Sequence, residues 1–210
     1  MHLGKILNIY SDVSKNNTGV QRLGALRVAR SHAAMPICTE RGFRVVSTLH
    51  AASLPMFAPI PFNEDFALRR ATPADYEFAH ALTRSNMIGY YKRHGLVWRS
   101  DLFLASWNAS ENYMIEWAGM AIGVLRVDQD ADALYVHDIH IVSTHRNRGA
   151  GTFALESAHH MARQRRRRTL ILRVFVDNPA ARLYERLGYR PINVRTSAGS
   201  IRQMSRSVET

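Results

Sequence analysis

The chain has 210 residues, 46% of them hydrophobic, enough for one sizeable core or one domain with an extension. Lys and Arg outnumber Asp and Glu by 28 to 17, a net charge of +11 that favours polyanionic partners, phosphorylated cofactors included, and says nothing about fold. The single cysteine, Cys38, excludes an internal disulfide framework, and no run approaches the roughly 20 apolar residues of a spanning helix. With no secretory signal pattern either, the expected location is the cytoplasm, with no membrane association.

Residues 1–65 read as an N-terminal extension of uncertain structure, and residues 66–210 as one domain. The extension holds a turn at Lys15–Gly19, a basic helical piece over Gln21–Ala34, a strand-like stretch at Phe43–Leu49 and a proline-containing connector from Pro55 to Pro61. Its basic, acid-poor composition is also that of an organelle transit peptide, or of a start codon assigned too early; an added segment packed on or tethered to the domain is the simpler reading.

Phe66–Arg70 is the expected first strand. Thr72-Pro73-Ala74-Asp75 is a helix start, with Thr72 as N-cap, Pro73 at the first helical position and Asp75 in the first turn; the helix is predicted to run to about Arg84. A second helix is expected over Asp101–Trp107, and the aromatics between the two, Tyr90 and Trp98 among them, either pack the helices or contact a ligand. Tyr113–Trp117 and Met120–Val127 form a predicted hairpin about Ala118-Gly119. A polar turn over Asp128–Asp132 leads to a central strand, Leu134–Val142.

After that strand comes Ile141-Val-Ser-Thr-His-Arg-Asn-Arg-Gly-Ala-Gly151, and then a segment whose Leu155, Ala158, Met161 and Ala162 share one helical face. A strand thus opens through a glycine-containing loop into a helix, whose first N–H groups lack internal partners and face an anion at the positive end of the dipole. A plain glycine-rich turn has the same pattern. Gly-Lys-Ser/Thr is absent, which argues against a P-loop, and the third glycine of a dinucleotide fingerprint is missing. Thr169–Val176 is a nearly continuous apolar strand. Asn178-Pro179 reads as a helix start, and Ala180, Leu183, Tyr184 and Leu187 make a helical stripe. A closing hairpin is expected from Arg190–Arg195 and Ile201–Ser207. The run Arg165–Arg168 ends the main helix, where cations suit the dipole; an acidic-partner patch is the sharper alternative.

Arg146-x-x-Gly149-x-Gly151, followed one helix and one strand later by Asn178, Ala181, Leu183-Tyr184-Glu185 and Gly188-Tyr189, resembles the GNAT acetyltransferase superfamily over roughly residues 66–208. The second motif departs from the pattern in having only Arg182 between Ala181 and Leu183. The resemblance implies an α/β (α+β) fold, a mixed, mostly antiparallel central sheet flanked by helices. It implies acetyl-CoA as donor, with Ile141, Arg146, Asn147, Arg148, Gly149, Ala150, Gly151 and Asn178 at the cofactor, and a pantetheine arm lying in a splayed gap beside the central strand. Tyr184 falls where the family's frequent general acid sits, and His137 where several relatives carry a glutamate base; Asp138 is the carboxylate alternative, and Glu116 a further one. Tyr90 and Trp98 are the expected acceptor contacts.

The expected function is transfer of acetyl to a primary amine by direct attack in a ternary complex, since no cysteine lies in the domain to carry the acetyl group. A monomer or homodimer is expected, and nucleic acid is not. The alternatives are a non-catalytic acyl-CoA-binding regulator, a basic nucleic-acid-binding protein on the same fold, and a longer acyl-CoA as donor. The histidines between His137 and His160 diverge in direction at these spacings, so no metal site is expected.

Overall fold

In the computed structural model, residues 65–192 and 200–209 are described. The readings of the N-terminal extension, and of the closing hairpin's turn, lie outside them. Phe66–Arg70 is strand β1. The next helix starts as predicted and ends far later. The Asp75 carboxylate accepts the Thr72 N–H at 2.7 Å and the Thr72 hydroxyl at 2.8 Å, fixing a short 3-10 turn over Pro73–Asp75. Helix α1 then runs over Tyr76–Arg93, nine residues beyond the expected end. Its buried residues, Ala79, Thr83, Met87 and Tyr91, recur every fourth position and so make one stripe. Tertiary burial of that stripe carries the helix through the polar Arg84-Ser85-Asn86 stretch and past Gly89. Helix α2 is Ser100–Ala109.

Strands β2 (Glu111–Trp117) and β3 (Met120–Gln129) make the expected hairpin. Ala118 and Gly119 take φ of 48° and 77°, the positive pair a two-residue hairpin turn requires. The central strand β4 is Ala133–Ile141, the main helix α3 is Ala150–Gln164 and strand β5 is Thr169–Phe175. A short helix α4, Ala181–Arg186, precedes β6 (Arg190–Ile192) and β7 (Ile201–Ser207).

The seven strands form one sheet in the order β1-β2-β3-β4-β5-β7-β6, antiparallel throughout except for β4 and β5. This is the mixed, mostly antiparallel sheet expected. One face packs on α3 through Leu125, Val127, Leu134, Val136, Leu170 and Leu172, with Ala154, Leu155, Ala158 and Met161 from the helix. The other face meets α1 and α2 through Val124, Ala79, Phe103 and Trp107. Phe66 stacks on Phe153 at 5.6 Å, which fastens the edge strand to α3 by about 0.5–1.5 kcal/mol beyond burial. No described helix is long and apolar enough to cross a membrane.

Candidate active site

Two irregularities at the middle of the sheet make the site. The register between β3 and β4 slips after Arg126↔Asp138, so that Val127 faces Val136 and His137 is the extra residue of a bulge. From the same level, β4 and β5 part. Their parallel pairing runs from Ala133↔Thr169 to Val136↔Leu172 and stops, while β4 continues to Ile141 and β5 to Phe175. Backbone that a neighbouring strand would normally pair is left facing a gap. The gap is part of a cleft of about 640 Å³ lined by residues from β4, β5, α1, α4 and the loop before α3.

Glycines let the chain close around this cleft. Gly123 on β3 lies so near the end of β4 that a Cβ there would stand 2.5 Å from the His140 carbonyl oxygen and 2.7 Å from Ile141 Cδ1. Gly149 caps α3 in the left-handed region, at φ 97°. The first backbone bond of α3 is Phe153 N–H to Gly149 O at 2.9 Å, which leaves the N–H groups of Ala150, Gly151 and Thr152 without helical partners. Gly151 packs against α4, where an added Cβ would meet Leu183 Cδ2 at 3.0 Å.

Of the predicted cofactor residues, Ile141, Arg146, Asn147, Gly149, Gly151 and Asn178 line the cleft. Ala150 is buried beneath it, and Arg148 is exposed outside the lining. The Arg146 side chain does something the sequence did not suggest. Its Nη2 donates to Asn86 Oδ1 at 2.5 Å and its Nε to the Ile141 carbonyl at 3.1 Å, which fastens α1 to the end of β4. Asn86, Arg173, Thr152, Arg182 and Arg186 also line the cleft and were not anticipated. The first of them was legible only as a neighbour of the four-residue stripe, had the helix been carried past Arg84. Asn178 is a local cap: its Oδ1 accepts the Ala180 N–H at 2.9 Å.

Tyr184, His137 and Asp138 all reach the cleft. Burial, and then the negative charge of Asp138, push the Tyr184 phenol up to about 12, and the hydroxyl has no hydrogen-bond partner among the described residues. Burial lowers His137, and the Arg126 and Arg173 charges reinforce it against the opposing pull of Asp138. Asp138 is anything but free. Burial would raise its carboxyl, yet the Arg126 charge, followed by His140, holds it far below the ordinary carboxylate range. Arg126 Nη1 donates to Asp138 Oδ2 at 2.7 Å, and the guanidinium is itself fully buried, 4.7 Å above the Phe103 ring, with Nη2 on Ser106 and Ser110. Glu116 lies elsewhere, accepting Arg69 Nε at 2.6 Å on β2, outside the cleft lining.

The two expected acceptor contacts separate. Tyr90 lines the cleft and stacks on Phe175 at 5.5 Å, with the Arg93 guanidinium 4.5 Å from its ring centroid. Trp98 is not among the lining residues. It packs on Tyr91 and Phe103, at 5.6 Å each, and its Nε1 donates to Ser100, so it serves the junction of α1 and α2 instead.

A family model described as Acetyltransferase (GNAT) family matches residues 73–189. Solved structures share the architecture at low identity. Ard1 from Thermoplasma volcanium is 17% identical with a TM-score of 0.57, covering 70% of this chain and 99% of its own. A GNAT family acetyltransferase from Elizabethkingia anophelis with acetyl-CoA bound is 13% identical at a TM-score of 0.53, covering 69% and 99%. The PaiA N-acetyltransferase from Thermoplasma acidophilum, in complex with coenzyme A, is 13% identical at 0.54, covering 68% and 98%. No curated protein matches the chain closely enough to count as a relative. With the matched segment running from the capping turn before α1 to the end of the α4 region, the chain belongs to the acetyltransferase (GNAT) family.

Proposed function

We propose that the protein transfers an acetyl group from acetyl-CoA to a primary amine by direct attack in a ternary complex. The observation that carries this is the splayed β4–β5 gap, ending at a left-handed Gly149 cap and a row of unpartnered N–H groups on α3. An extended arm can add to the free backbone of β4 as a strand would, and phosphates can sit on the helix start. Two neighbours of the same fold carry acetyl-CoA or coenzyme A. Arg146, Arg182 and Arg186 surround the cleft with positive charge suited to those phosphates.

Acetyl-CoA supplies the acetyl group activated as a thioester. The chain's own residues handle position and protons. Tyr184, kept protonated by its raised pKa, donates its Oη proton to the departing sulfur. The end of β4 supplies the group that takes the amine's proton, with Asp138 as the fixed anion there and His137 held neutral beside it. Tyr90 flanks the acceptor side of the cleft. The acceptor amine is a small molecule or a protein amine, and the cytoplasm is the compartment proposed.

Calorimetric titration with acetyl-CoA tests this. Wild type is expected to bind saturably. Gly149→Glu, which sets both a Cβ in the left-handed region and a negative charge at the phosphate seat, is expected to abolish binding. A wild type that releases no heat and no free thiol with any amine would overturn the reading.

A further inference from the structure

We propose that the proton acceptor for the amine is His140 Nδ1, in a dyad with Asp138, and that Arg126 keeps the dyad's carboxylate from taking the proton itself. This deepens the acetyl-transfer reading and rests on it. Three titratable side chains from the end of β4 line the cleft, His137, Asp138 and His140. They differ in what holds them.

Asp138 has both oxygens engaged, Oδ2 by Arg126 and Oδ1 by His140 Nε2 at 3.2 Å. A carboxylate 2.7 Å from a fully buried guanidinium is a poor base, because protonating it would leave that charge unpaired in the core. It is a good anchor for an imidazole. A carboxylate accepts only, so the Nε2 beside it carries the hydrogen, and the lone pair of the neutral ring is on Nδ1. His140 is 8% exposed, Nδ1 has no partner among the described residues, and it is not one of the polar atoms sealed from solvent. The free lone pair of a nearly buried, oriented ring therefore belongs to a residue that lines the cleft.

His137 lacks this support. It is the bulge residue, has no carboxylate hydrogen-bonded to it among the described residues, and burial, with the Arg126 and Arg173 charges behind it, disfavours an imidazolium there against the pull of the Asp138 charge. An imidazolium at His140 would be hydrogen-bonded to the Asp138 anion directly.

The step balances within the site. His140 Nδ1 takes one proton from the bound ammonium. The nitrogen lone pair so released forms the N–C bond to the acetyl carbon as the C–S bond breaks. The sulfur takes its electron pair and the proton from Tyr184 Oη, and the second proton, lost by the nitrogen as the amide forms, returns to the Tyr184 oxygen, so that the net proton released is the one on His140. Asp138 stays ionised throughout, orienting the ring and balancing its charge.

Two measurements on the full chain test the dyad. The first is 15N NMR of histidine-labelled protein in alkaline buffer, with His140 assigned by its loss in His140→Gln. A protonated Nε2 and a bare Nδ1 are expected; a proton on Nδ1 would overturn the proposal whether or not the protein turns over any amine. The second is thiol release from acetyl-CoA with tyramine, spermidine and a peptide bearing a free N-terminal alanine. His140→Ala is expected to lose about 10²–10³ in kcat with KM for acetyl-CoA nearly unchanged, and to regain part of the rate with added imidazole. His137→Ala is expected to lose about tenfold at most, within the range of a neighbouring perturbation. A larger loss at His137, or a loss at His140 that imidazole does not restore, would overturn His140 as the base. An inert wild type on every amine would count against acetyl transfer itself, while the NMR result still decides the dyad.

Discussion

Tyr184 combines a packing role with the chemical one proposed for it. Its ring lies 6.0 Å from that of Tyr189 and packs with Leu183 and Leu187 against the α3 core, while its hydroxyl reaches the cleft. Burial and the nearby Asp138 anion push its pKa up to about 12, so at neutral pH it holds a proton to give. Tyr184→Phe keeps the ring and removes only the donor. It should leave acetyl-CoA affinity in calorimetry within about twofold and lower kcat by about 10²-fold, the low end of general-acid effects, since water reaches a half-buried position. An equal fall in affinity and turnover would instead mark Tyr184 as a packing residue.

Between elements, the cleft depends on how closely chains approach where a side chain is missing. Gly123→Ala should disturb β4 at the end that lines the cleft, because the new methyl stands 2.5 Å from a backbone oxygen, which cannot rotate away. A cost of about 1–3 kcal/mol in urea unfolding and a weaker acetyl-CoA isotherm are expected together; a stable variant with unchanged affinity would mean that β3 can slide without moving the site. None of this was legible in advance: Gly123 sits in an unremarkable apolar run, and its meaning comes from register. What could be read was whatever local chemistry decides. Thr72-Pro73-Ala74-Asp75 started its helix, Ala118-Gly119 turned its hairpin, and the apolar face of α3 faced the sheet. The end of α1 and the place of Trp98 were missed for one reason. The polar stretch Arg84-Ser85-Asn86 looks like a helix end when only neighbours along the chain are counted, while the stripe from Ala79 to Tyr91 is stabilised by Phe175 and Trp98, which sequence distance conceals. Arg146 was recognisable as part of a phosphate-binding pattern, but its bond to Asn86, 60 residues away, needed the fold.

Over the whole molecule, the excess of positive charge is partly consumed inside the fold. Within the terminal run of α3, Arg165 forms a two-bond pair with Glu111, and Arg167 donates to Gln129 and the Ala131 carbonyl, so half of an apparent basic patch is structural. Arg126, the most deeply buried cation among the described residues, depends on one carboxylate, and that dependence should dominate the acid behaviour of the protein. Asp138 and Asp75 both have folded pKa values well below the ordinary range. For Asp138 the Arg126 charge outweighs burial; for Asp75 the Arg69 hydrogen bonds come first. A carboxyl depressed on folding binds fewer protons folded than unfolded. Its stabilisation is therefore complete at neutral pH, begins to fade as pH approaches the unfolded value near ~4, and goes on falling toward the folded value. Urea unfolding at stepped pH should show stability flat from neutral to about pH 5 and then dropping steadily. Asp138→Asn should start roughly 3–5 kcal/mol lower at neutral pH, since Arg126 is left buried without its anion, and should drop less steeply in acid because one depressed carboxyl is gone. If the variant kept the wild-type slope below pH 5, the acid limb would belong to Asp75 and the surface pairs, and Arg126 would be neutralised by something other than Asp138.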